Sequence, residues 1–124
     1  MTWKRERGQS LTEMALLLPI LFLLLGAAFD MGRALVTYSN VVHAAREGAW
    51  VASQRPWDVG AAQEAVQQAL QDAGLDPGLA TITISVGKRG EPVVVSVSYP
   101  YTPLLPLPVD SITLKASHSM VRLG

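Results

Sequence analysis

MALLLPILFLLLGAAF, residues Met14 to Phe29, is a run of sixteen residues without a charge, and Leu11 extends it backwards across Glu13. A bilayer-spanning helix takes roughly 20 apolar residues at ~1.5 Å rise each, so the run crosses a membrane if Asp30 and Arg33 sit at the far interface. The rest of the 124-residue chain is ordinary in hydropathy. Apolar residues make up 49% and the mean hydropathy is +0.26, and much of that excess belongs to this one block. The chain length allows one domain plus this appendage.

Ahead of the block stands MTWKRERG, in which Lys4, Arg5 and Arg7 outweigh Glu6. The excess of basic residues predicts a cytoplasmic amino end and an exported carboxyl-terminal part. Zero net charge therefore averages a +2 leader and a −2 remainder from Gln9 onward. Three kinds of segment share this pattern: a secretory signal cut after Gly26-Ala27-Ala28, a permanent anchor, and a leader removed ahead of a helix that both spans and assembles. Glu13 separates them. A carboxylate costs about 2.5 kcal/mol or more at mid-bilayer and less toward the edge, so it is a poor choice in a disposable signal and reads either as a functional group or as an interfacial glutamate that snorkels or is protonated.

Several chemistries are excluded by what the sequence lacks. Without cysteine there is no disulfide framework, thiolate metal site or cysteine nucleophile. No phosphate-binding glycine motif or nucleophile elbow occurs, and His43 and His118 lack the spacing of a zinc pair. Acidic residues are too scattered for a calcium loop, and basic residues form no patch beyond the leader. The expectation is a non-enzyme with no catalytic, cofactor-binding or metal-binding residues, no nucleic-acid partner and no small-molecule substrate.

Gly8-Gln9-Ser10-Leu11-Thr12-Glu13, with basic residues before the glycine and an apolar helix after it, resembles the leader of type IV pilin-like proteins. Phe29-Asp30-Met31-Gly32-Arg33-Ala34-Leu35, then Ala44-Ala45-Arg46-Glu47-Gly48-Ala49, and later Tyr99-Pro100-Tyr101 with a proline-rich stretch, narrow the likeness. Together they are similar to the TadE-like minor pseudopilins of tight-adherence (Flp) pilus systems. Met14 after Glu13, where the major Flp pilins typically carry tyrosine, favours a minor pseudopilin over the bulk subunit.

The resemblance implies cleavage by prepilin peptidase between Gly8 and Gln9, with Glu13 becoming the fifth mature residue. In an apolar bundle Glu13 could then be neutralised by the amino group of a neighbouring subunit's Gln9. The implied partners are the membrane, prepilin peptidase, other pilin or pseudopilin subunits and the pilus assembly platform. The implied location is the cytoplasmic membrane, single-pass, or a cell-surface pilus. The alternative from another class is a permanently anchored protein displaying a small extracytoplasmic binding domain.

No proline occurs between Ile20 and Arg55, so the apolar helix is expected to run over 9–54, about 69 Å, with roughly half projecting from the membrane. Pro19 removes one backbone bond within it. Asp30 and Arg33, three apart, share a helix face and read either as an ion pair at the membrane edge or as an intersubunit contact. Val41, Ala45, Gly48 and Ala52 form an apolar stripe, with Tyr38, Val42 and Ala49 beside it. Small residues four apart, at Ala28/Gly32, Ala44/Gly48 and Ala45/Ala49, permit close helix approach.

The remainder, 55–124, is expected to be an extracytoplasmic α+β domain, following the basic leader at 1–8 and the helix at 9–54. Pro56-Trp57-Asp58 reads as a turn with Asp58 capping a helix over Val59 to Ala73, its inner face Val59, Ala62, Val66, Ala69, Leu70 and Ala73. Gly74 ends that helix. Ile82, Ile84 and Val86 alternate with Thr81, Thr83 and Ser85 in a strand, followed by a hairpin at Gly87 to Glu91. Val93, Val95, Val97 and Tyr99 face inward in the next strand, which Pro100 is expected to stop. A proline-rich loop to Pro108 follows, then a strand with Ile112, Leu114, Ala116, His118 and Met120 on one face. The predicted fold class is α+β: a long transmembrane helix continuing outside the membrane, with a short amphipathic helix and a three-stranded antiparallel sheet packed on it, as in pilins.

Overall fold

The computed structural model describes residues 2–105 and 111–123. Five principal elements follow in order: α1 (Thr2–Gln54), α2 (Val59–Asp72), β1 (Thr81–Val86), β2 (Pro92–Tyr101) and β3 (Ile112–Val121), with a 3₁₀ turn at Pro77–Leu79. The expected architecture is present. Met1 of the leader, and Pro106 to Pro108 of the proline-rich stretch, lie outside the described residues.

Helix α1 is longer than the 9–54 expected from the sequence. It begins at Thr2 and passes through Gly8 without a break, because Lys4, Arg5, Glu6 and Arg7 are all good helix formers. At 53 residues it is about 80 Å long. Its inner half stands clear of the rest of the chain. Leu16, Leu21, Phe22, Leu24 and Phe29 are all more than half exposed, and it is the one helix among the described residues long and apolar enough to cross a membrane.

Burial begins where the apolar run ends. From Val41 onward one face of α1 is covered: Val41, Ala44, Ala45, Ala49 and Ala52 are fully enclosed and Gly48 is buried among them. Tyr38, expected beside this stripe, stays partly exposed. Gly48 is the point of closest approach. A methyl built there would overlap Val66 Cγ2 of α2 and stand 3.2 Å from Val95 Cγ1 of β2, so only glycine lets the three elements meet.

Helix α2 starts at Asp58, whose Oδ1 accepts from the Ala61 amide at 3.0 Å. It closes where Gly74 takes φ +80° and the Leu75 amide donates to the Leu70 carbonyl at 2.9 Å. Ala62, Val66 and Leu70 are buried as the periodicity indicates. Val59 and Ala73 are not: both are exposed, because the two ends of α2 extend past the stretch that crosses α1.

The sheet order is β1-β2-β3, antiparallel throughout. Val93, Val95, Val97 and Tyr99 face inward from the central strand and Ala116 from β3, completing one core with α1 and α2. Ile112, expected on the inner face, is 43% exposed at the start of β3. Pro100 does not stop β2, which continues to Tyr101 with Pro100 opposite Thr113. The reason lies in the neighbouring strand. Pairing with β1 ends at Ser98, so past that point β2 has a free edge that needs no donor, where proline is tolerated. The last strand leads back to α1, where the Leu123 amide donates to the Ser53 carbonyl at 2.9 Å.

Candidate assembly helix and the Asp30 junction

Gly8 and Gln9 lie on the exposed inner end of α1, in helical conformation. The Thr12 hydroxyl donates to the Gly8 carbonyl at 2.8 Å, and no atom stands within 4 Å of where a Gly8 side chain would be. One turn on, Glu13 projects from a helix surface occupied by Leu11, Met14, Leu16 and Leu17, all exposed. Among the described residues it has no hydrogen-bond or ion-pair partner. On a helix otherwise fit for lipid, a carboxylate so placed is costly unless a cation or a donor meets it.

Asp30 is in the opposite situation. It is 8% exposed, the only buried acid among the described residues, and its carboxylate is fully engaged within the chain. Oδ1 accepts the Leu104 amide at 2.9 Å, Oδ2 accepts the Leu105 amide at 3.0 Å, and the Tyr101 hydroxyl lies 3.4 Å from Oδ1. The same hydroxyl donates to the Asp30 carbonyl at 3.0 Å. Charge-assisted bonds from two consecutive amides clamp the start of the proline-rich stretch onto the helix.

The expected Asp30–Arg33 pair is present but loose, at 3.9 Å, with the guanidinium also 5.6 Å from the centre of the Tyr101 ring. Arg33 therefore flanks the junction while the amides make it. Sequence spacing pointed to Arg33 and missed Tyr101, Leu104 and Leu105. The signal was available: Leu104 and Leu105 are the only two consecutive residues between prolines 103 and 106 with amides to donate, and a lone acid stands at the edge of the apolar helix.

The small-residue pairs divide in two. Ala44, Ala45, Gly48 and Ala49 are spent inside the fold, against α2 and the sheet. Ala28 and Gly32 remain open and floor a groove of about 560 Å³, whose other wall is Ala73 and Leu75. Among the described residues no three His, Asp or Glu side chains gather as a metal site.

An α+β domain carried on the outer half of one long helix, whose inner half is a candidate membrane span, is the class these features define. Residues 8–50, about a third of the chain, match the family model of TadE-like proteins. The match begins at Gly8 and covers Glu13, Asp30, Arg33 and Gly48, and it suggests involvement in a tight-adherence pilus system. Comparison with curated proteins and with solved structures returned no match.

Proposed function

We propose that the chain is a minor pseudopilin, cut by prepilin peptidase between Gly8 and Gln9, that takes part in initiating or assembling a tight-adherence pilus. It acts by assembly rather than catalysis. The leader's positive charge supports an amino end in the cytoplasm and the α+β domain outside, across a single span of the cytoplasmic membrane. The observation that carries this reading is Glu13, exposed on an apolar helix and without a partner among the described residues, inside a segment that matches TadE-like proteins. The amino group freed at Gln9 of an adjacent subunit would neutralise it and set the stagger between helices. The open faces of α1, including Ala28 and Gly32, are where neighbouring subunits or the assembly platform would pack.

Asp30 holds the domain on its own helix, so in this reading it shapes the surface offered to other subunits, and Arg33 beside it remains accessible. The test is Glu13→Ala in cells that make the pilus. A pseudopilin so altered still inserts in the membrane but no longer supports piliation. Normal piliation would instead favour a permanent anchor that displays a binding domain.

A further inference from the structure

The segment that Asp30 clamps runs down the helix toward the membrane. Leu104 meets Asp30 through its amide, and one residue later the Leu105 side chain reaches Gly26: a methyl built on Gly26 would stand 2.9 Å from Leu105 Cδ2. Gly26 lies four residues below Asp30, about 6 Å deeper along the helix, inside the uncharged run that ends at Phe29. Leu104, meanwhile, is 64% exposed. An irregular backbone at such a depth is tolerated only where its polar groups are satisfied by protein.

That condition is met here for the two donors nearest the helix, the amides of Leu104 and Leu105. Pro103 has no amide hydrogen, and the amides of Leu104 and Leu105 are both taken by the Asp30 carboxylate. A loop lying in water would need no such acceptor, since solvent would serve.

We propose that the segment Thr102–Leu105 lies in the outer interfacial layer of the bilayer, with the Leu104 side chain among lipid acyl chains, and that it seats the α+β domain on the membrane surface. Asp30 is the positioning residue for this contact, because it removes the two amides that would otherwise resist leaving water. The occupant is lipid rather than protein because the site is continuous with a helix surface exposed all round, at Leu23, Leu24, Leu25 and Phe29, and the segment carries no charge. The inference rests on α1 spanning the membrane, and its test separates the two.

The chain contains no cysteine, so Leu104→Cys, Leu23→Cys and Leu79→Cys each accept a single nitroxide in the full-length protein. In lipid nanodiscs, collision with dissolved oxygen reports lipid and collision with an aqueous nickel chelate reports water. The Leu104 and Leu23 probes are expected to favour oxygen, and the Leu79 probe, on the exposed 3₁₀ turn, the chelate. A Leu104 probe that behaves like Leu79 while Leu23 stays in lipid overturns the inference alone. A Leu23 probe in water overturns the span as well. Shielding of Leu104 from both reagents, with dipolar broadening between copies, overturns lipid in favour of a second copy of the chain.

Discussion

The Leu104 amide donates to Asp30 Oδ1 at 2.9 Å across 74 residues of sequence, and the next amide, that of Leu105, donates to Oδ2 at 3.0 Å. Two points on the chain that share no local pattern thereby become one junction, at the level where the bare helix enters its domain. Arg33, three residues away on the same helix, contributes only a 3.9 Å contact from a side chain 44% exposed. Exposed ion pairs of that kind add little stability, whereas amides left without an acceptor in a buried place are costly.

Asp30→Ala is accordingly expected to lower the unfolding midpoint of the detergent-solubilised protein by about twice as much as Arg33→Ala, or more. Circular dichroism melts of the two variants check the order. Equal losses would mean that the ion pair, not the amide clamp, holds the segment.

Gly48 and Gly32 give a sharper pair. A methyl at Gly48 overlaps Val66 and crowds Val95, so Gly48→Ala should cost about 1–3 kcal/mol by overpacking. Nothing stands within 4 Å of a methyl at Gly32, so Gly32→Ala should stabilise the helix by about 0.5–1 kcal/mol. Denaturant titration of both variants reads the opposite signs directly.

These two glycines also show what the sequence disclosed and what it did not. The stripe through Val41, Ala45, Gly48 and Ala52 was legible because a helix repeats its face every three to four residues, and α2 and the three strands were legible from their own periods. Which small pair would be consumed inside the fold was not, because Ala28/Gly32 and Ala44/Gly48 are alike until a sheet covers one of them. Pro100 reads locally as a strand end for the same reason: its tolerance depends on where pairing with β1 stops, opposite Ser98, a fact of pairing rather than of local composition. Spacing sets Asp30 beside Arg33, as an ion pair or an intersubunit contact, because it reveals neighbours three residues away and is blind to amides 74 and 75 residues away.

Tyr99 supplies a test of the domain's far corner. Its hydroxyl accepts the Asp76 amide at 3.1 Å, tying the loop after α2 to the central strand. Tyr99→Phe leaves that amide unmatched and should cost about 0.5–1.5 kcal/mol. Ser96→Ala, which removes only a surface hydroxyl pair with Ser117, should change stability by less than about 0.5 kcal/mol under the same denaturant titration.

Processing is where the proposed function meets its most direct measurement. Helix α1 continues through Gly8 and Gln9, so the peptidase would have to unwind this turn, and glycine, the weakest helix former after proline, is where unwinding costs least. The decisive observation is the intact mass of the protein extracted from membranes of cells that hold an active prepilin peptidase. A pseudopilin begins at Gln9 in that spectrum, short by residues 1–8; a chain that still carries residues 1–8 contradicts pseudopilin processing.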